Sequence, residues 1–309
     1  PLAVAIGEGT YVSFSDSSER QRLHPFILGK LSERTGIANL RNLATASDDW
    51  RFGSSLRDVL WGAPPTQDAI ELENAFLPVS GIVKLVARPS DSPTVVLAAK
   101  AGHNNEPHNH NDVGSFIVSV GGIVYLCDPG AGRYSRDYFG PKRYENPFTS
   151  SYGHSVPRVA GEYQSPGEQF RGTMRKISEY QYEIDMTRAY DMPLLEKLLR
   201  TLTLETSGTV ILEDVFRFSQ GNNEIEEAFM TWLDVELDGA CARIKSEQGS
   251  LTITSENSSG SFELESLQEA CRENKKPETL KRIVWKAIAS PEYTARFAMR
   301  FQHVPDPKP

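Results

Sequence analysis

Two apolar, β-branched runs, Ser115-Phe116-Ile117-Val118-Ser119-Val120 and Ile123-Val124-Tyr125-Leu126-Cys127-Asp128, are separated only by Gly121-Gly122. A two-residue glycine connection matches the right-handed twist of paired strands, so the spacing predicts a tight β-hairpin. The same strand-like pattern recurs along the chain. Ile82-Val83-Lys84-Leu85-Val86 and Thr94-Val95-Val96-Leu97-Ala98 precede the hairpin, and residues 177–186, 197–205, 209–217, 241–246, 250–255, 261–266, 281–289 and 293–302 follow it. Many strands joined by Gly, Asn and Ser turns predict a mainly β chain, built as a large antiparallel β-sandwich.

The first quarter has a different period. Asp16 or Ser17 can cap a helix carrying Leu23, Phe26, Ile27 and Leu31 and ending at Gly36. A second helix, capped by Asp48 or Asp49, carries Trp50, Leu56, Val59 and Leu60 and stops at Gly62-Ala63-Pro64-Pro65. Short helices without partners make a poor core. We therefore read residues 1–78 as the end of a larger helical domain and residues 79–309 as the β-rich domain. The tail Pro305-Asp306-Pro307-Lys308-Pro309 has the composition of an unfolded end.

Apolar residues make up 39% of the chain, enough for a full core. No stretch reaches the roughly 18 uninterrupted apolar residues of a membrane-spanning helix, so no membrane partner is expected. The three cysteines, Cys127, Cys241 and Cys271, are odd in number and far apart, which argues against a disulfide framework and a thiolate metal site. A formal charge of −8 argues against nucleic acid as a partner. Residues 131–176 run against that balance, with eight Lys/Arg and four Asp/Glu, and offer a local positive region. The chain opens on Pro1, which leaves the compartment and any upstream segment open. Oligomeric state is open as well, a homodimer included.

Four of the six histidines fall between residues 103 and 154, most densely in His103-Asn104-Asn105-Glu106-Pro107-His108-Asn109-His110-Asn111-Asp112. If this segment is extended, His108, His110 and Asp112 share one face, where imidazoles and a carboxylate converge. Asp128 and His154 are two further ligand types nearby. Nitrogen and oxygen donors without thiolate suit a borderline ion, most often zinc. A polar turn is the competing reading of the run. A cupin-type site is disfavoured, because no Glu sits three or four positions after His110.

The segment from Ala98 to Tyr134 resembles the heparinase II/III-like domain. Its pattern is a His-x-His-x-Asp-x-x-Ser-Phe run, then an Asp-x-Gly strand end, then a histidine after a tyrosine-bearing loop, and all three occur here in order. The resemblance spans residues 79 to 300. It implies the C-terminal β-sandwich of a polysaccharide lyase that follows an α/α toroid, with residues 1–78 as the toroid's end. It further implies zinc, in a structural role, on His110, Asp128 and His154. Relatives commonly carry Asn after the third ligand, where this chain has Ser155.

The resemblance also implies the chemistry, β-elimination on an anionic, uronic-acid-containing polysaccharide. The uronate carboxylate must be neutralised, its C5 proton removed, and the departing 4-oxygen protonated. His108 corresponds to the family histidine that faces substrate, and Tyr144, beside Arg143, is the preferred catalytic tyrosine among Tyr134, Tyr138, Tyr144 and Tyr152. His103, Asn105, Glu106 and Arg143 are candidates for holding the sugar, the last because a guanidinium fork suits carboxylate and sulfate. The toroid of the family supplies further catalytic residues. Two other readings therefore stay open: a non-catalytic, zinc-stapled carbohydrate-binding or scaffold module, and a hydrolase or oxygenase using the metal directly.

Overall fold

The computed structural model describes residues 1–20, 23, 25–43, 60, 69–257 and 260–303; the helix expected from Asp48 to Pro65, Leu60 apart, and the tail lie outside the described residues. The chain begins with a small ribbon, β1 (Ala5–Gly7) and β2 (Thr10–Tyr11), and then α1 (Pro25–Thr35). The expected stop at Gly36 holds, with φ +73°. The expected start does not. Pro25, pre-set for a first helical turn, opens α1, and Asp16 is left free for another role. Phe26 and Leu28 are buried, whereas Ile27 and Leu31 face outward.

Next come β3 (Ala75–Leu77), β4 (Ile82–Ala87), β5 (Val95–Lys100), β6 (Gly102–Asn104), β7 (Phe116–Val120) and β8 (Ile123–Leu126). The hairpin β7–β8 pairs Val120 with Ile123, and Gly121 and Gly122 take φ +57° and +86°, as the two-residue turn requires. After a long loop follow β9 (Arg158–Val159), β10 (Gly167–Ser178), β11 (Gln181–Asp185), β12 (Leu195–Leu204), β13 (Val210–Phe218) and β14 (Asn223–Thr231). The chain closes with β15 (Asp234–Asp238), β16 (Cys241–Lys245), β17 (Gly249–Ser255), β18 (Ser261–Ser266), α2 (Gln268–Glu273), β19 (Lys281–Ala289) and β20 (Glu292–His303). The single strand expected over 177–186 is instead the end of β10, a turn, and then β11.

A nine-stranded antiparallel sheet, in the order β15-β16-β17-β20-β13-β12-β11-β10-β6, forms one layer. A five-stranded sheet, β3-β4-β5-β7-β8, and a four-stranded sheet, β18-β19-β14-β9, meet it from the other side. These two are joined where the Cys127 N–H donates to Met230 O over 2.9 Å. Inward residues of all three share one core, including Leu97 and Phe116, Leu212 and Phe297, and Phe229 and Trp285. Trp285 and Phe297 meet edge to face with centroids 5.2 Å apart. The architecture is the antiparallel sandwich that the strand pattern predicts.

The five-stranded sheet is also covered on its other face. Ile6, Val12 and Phe14 from the N-terminal segment, with Leu267 and Cys271 near α2, pack on Val86, Val96 and Ile117. Lys84 anchors this cover, its buried ammonium donating to Leu2 O and Ala5 O over 3.0 and 2.9 Å. Apolar burial of this kind, worth about 25 cal/mol per Å², brings the first twenty residues against the loops that carry the histidines.

Candidate functional site

The chain changes sheets between β6, at the edge of the nine-stranded sheet, and β7, within the five-stranded one. His108 to Asp112 lie in that crossing. The expected extended segment is instead a turn: Asn109 N–H donates to Glu106 O over 3.1 Å, and His108 takes φ +59°. Strand alternation therefore does not apply. His108 turns outward, with its side chain 61% exposed, while His110 and Asp112 turn fully inward. Asp128 follows β8, and the Gly130 N–H fixes its Oδ1 over 2.9 Å. His154 follows a short helical turn, Ser151–Gly153. A Cβ on Gly153 would lie 2.1 Å from Pro147 O, so this close approach requires glycine.

His110, Asp112, Asp128 and His154 are all buried, and one ligand atom from each lies within 4.8 Å of the others. His110 Nδ1 and His154 Nε2 are 3.0 Å apart, and His154 Nε2 is 3.6 Å from Asp128 Oδ2. The outer nitrogens are already used. His110 Nε2–H donates to Asp16 Oδ1 over 3.0 Å, and His154 Nδ1–H donates to Ser150 O over 2.8 Å. In neutral rings the two facing nitrogens both carry lone pairs, and Asp112 Oδ2 and Asp128 Oδ2 are buried without partners. Burial, and then His110 beside it, pushes His154 down to about 3, while burial and then Asp112 push the Asp128 carboxyl up. Two unshared nitrogens and two orphaned carboxylate oxygens make a donor set that fits a metal ion. The sequence reading named three of these residues as ligands, and the structure adds Asp112. The other Asp112 oxygen takes Lys100 Nζ at 2.6 Å.

Asp16 joins this group to the surface. Its Oδ1 accepts from His110 and from the Tyr138 hydroxyl, and its Oδ2 accepts from His108 Nδ1–H at 3.0 Å and from the Tyr134 hydroxyl at 3.1 Å. Burial alone would raise this carboxyl, but the bonds from His110, Tyr138 and His108 hold it well below the usual carboxylate range. Exposed Tyr134 and Phe139 stand beside His108, with ring centroids 6.4 and 6.1 Å from its own.

The remaining expected residues fall into two groups. The Tyr144 hydroxyl donates to Asn109 Oδ1 over 3.0 Å, next in the chain to His108. Arg143 is largely withdrawn: it donates to Tyr138 O and Asn109 O over 2.9 and 2.6 Å and lies 3.6 Å from Asp16 Oδ2. His103, Asn105 and Glu106 form a hydrogen-bonded turn at the rim, where Asn105 N–H donates to His103 Nδ1 over 3.2 Å. Tyr152 points elsewhere, to Glu265. Asp16 is the residue that sequence reasoning misplaced, because its position before an apolar helical run reads as a cap. Asp112 carries a usable signal, two residues after His110 on the same expected face, although the set implied by the family resemblance omits it.

A β-sandwich whose sheet-crossing loops bury a two-histidine, two-aspartate group under an exposed histidine defines the class. Residues 71–299 match the family model described as heparinase II/III-like, C-terminal, and the chain belongs to that family. Among solved structures it is similar to the heparan sulfate lyase HepC from Pedobacter heparinus, at 15% identity and a TM-score of 0.68, covering 98% of this chain and 45% of that one. It is also similar to a heparinase III gene product, at 13% identity and a TM-score of 0.70, covering 98% and 45% of the two chains. A further heparinase III structure matches at 15% identity and a TM-score of 0.66, covering 98% and 46%. The chain thus spans less than half the length of these structures. No curated protein sequence matches it.

Proposed function

We propose that the chain is the β-sandwich part of a polysaccharide lyase that cleaves uronic-acid-containing polysaccharide by β-elimination. The observation that carries the reading is the division of labour between two neighbouring histidines in a chain of this family: His110 is sealed in the buried group, and His108 is presented to solvent among tyrosines. In the reaction the C5 proton leaves to a base, its bonding electrons become the C4–C5 double bond, and the C4–O bond breaks. The departing oxygen then takes a proton. His108 and Tyr144 are assigned to these proton transfers. Tyr134, whose hydroxyl is 3.4 Å from His108 Nδ1, is the tyrosine in direct contact with that imidazole. His103, Asn105 and Glu106 line the rim where sugar would lie, and Arg143 lends positive charge while tying Tyr138 to Asn109.

Zinc suits the buried donor set, and there it would supply a structural staple. His110 Nδ1, His154 Nε2 and the two aspartates would hold it. Four protein donors leave no open position of the kind a catalytic zinc keeps, which supports a staple over direct metal chemistry. The test is the ultraviolet absorbance of the unsaturated uronate product on a panel of uronic-acid polysaccharides, with metal content assayed. Product formation by the whole protein supports the lyase. Silence on every polymer, with metal bound and oligosaccharide retained, favours a carbohydrate-binding or scaffold module instead.

A further inference from the structure

Asp16 comes from the N-terminal segment, outside the residues matched to the family, yet it makes more polar contacts with the site loops than any ligand in the buried group makes. Four donors occupy its two oxygens, matching the four lone-pair positions a carboxylate offers. The backbone reciprocates, since Asp16 N–H donates to His108 O over 3.3 Å. Its side chain is only 4% exposed, and the segment is wedged in place: a Cβ on Gly130, in the loop after Asp128, would lie 2.7 Å from Ser17 O. The neighbouring Ser15 has φ +63°, and its hydroxyl accepts from Lys100 Nζ over 3.1 Å.

We propose that Asp16 is a positioning residue: one carboxylate that orients the buried His110 through one oxygen and the substrate-facing His108 through the other. The deeper oxygen takes His110 Nε2–H, so the opposite nitrogen, Nδ1, points into the four-residue group. With an ion held there, this would be a carboxylate–histidine–metal arrangement, in which the outer carboxylate fixes ring orientation and raises ligand basicity. The outer oxygen takes His108 Nδ1–H, so the exposed ring is fixed with Nε2 directed away from Asp16. The same oxygen holds the Tyr134 hydroxyl beside that ring. The buried and the exposed imidazole therefore share one anion.

The assignment to substrate chemistry rests on the lyase reading; the assignment to the metal group does not, and two readouts separate them. Asp16→Asn keeps the shape but replaces one acceptor oxygen with a donor, so His110 and His108 can no longer both be held. Asp16→Ala removes both. With cobalt(II) as the probe ion in the whole protein, we expect each variant to lose about 10- to 100-fold in affinity and to shift the visible d–d bands. On a uronate polymer that the unsubstituted protein cleaves, kcat should fall by about 10- to 100-fold with KM little changed, since the Asp16 side chain is only 4% exposed and lies behind His108. If no polymer is cleaved by the unsubstituted protein, the lyase reading fails, and the cobalt arm alone decides on Asp16. A folded Asp16→Asn variant with unchanged cobalt affinity and spectrum overturns the proposal, as does absence of cobalt binding by the unsubstituted protein.

Discussion

Nη1 of Arg200 donates to the main-chain oxygen of Ser155 over 2.7 Å. The same atom donates to Gly114 O over 2.9 Å, so one side chain on the nine-stranded sheet holds both the residue after His154 and the residue two past Asp112. Asp214 and Glu227 both pair with it, at 2.6 and 3.0 Å from Nη2, and all three are buried. Ser155, the residue after His154, uses its hydroxyl to accept the Met230 N–H over 3.1 Å. The Ser155 hydroxyl thus serves the sheet, not the buried group.

Arg200→Met should therefore unfold the protein more easily, because two carboxylates would be left buried without their cation. We expect a loss of about 3–5 kcal/mol in urea denaturation. A loss under about 1 kcal/mol would show that the pair of acids relaxes by protonation or water entry.

Acid should weaken the folded state through His154. Burial and the adjacent His110 hold this imidazole at about 3, against 6.5 in the unfolded chain. The folded value is the lower one, so the contribution is present above 6.5 and is lost as pH falls toward about 3. The slope is up to about 1.4 kcal/mol per pH unit. Melting curves between these limits test it: His154→Gln should flatten the dependence, and an unchanged slope in that variant would assign the effect to other groups.

Chelation should lower the melting temperature if the buried group binds metal, since an ion at 100 times its dissociation constant adds about 2.7 kcal/mol. His110→Ala should reproduce that loss and abolish the response to chelator. A chelator effect that persists in His110→Ala would place the ion elsewhere.

His108→Ala should leave melting almost unchanged, because the ring is exposed, and should remove unsaturated-product formation in the whole protein. Full activity in this variant would end its catalytic assignment.

The hairpin at Gly121-Gly122 is legible because two glycines with positive φ leave the flanking strands one register. β4, β5 and most of β12 to β20 are legible for a similar reason, an apolar run bounded by turn residues. β14 is not. Glu224, Glu226 and Glu227 interrupt it, and Glu226 and Glu227 are buried there only because Arg282 and Arg200, distant in sequence, pair with them. β10 is hidden for the opposite reason: most of it is exposed and polar, and it is ordered by pairing with β11 and β6. At the site, residue types marked the cluster and the family resemblance implied His110, Asp128 and His154 within it, while the local path did not follow. A left-handed His108 sends the two histidines opposite ways, which no alternation rule anticipates.

His110 and His154 are 44 residues apart in the chain, and His110 and Asp16 are 94 apart. Closing such long loops costs entropy that only completed sheets repay, whereas the hairpin turns close locally. We therefore expect the buried cluster to be assembled at the end of refolding, so that cobalt uptake trails the main change in tryptophan fluorescence; simultaneous changes would contradict this order. Capture of the ion would then serve as a timestamp, marking the moment at which a newly made chain has finished its topology.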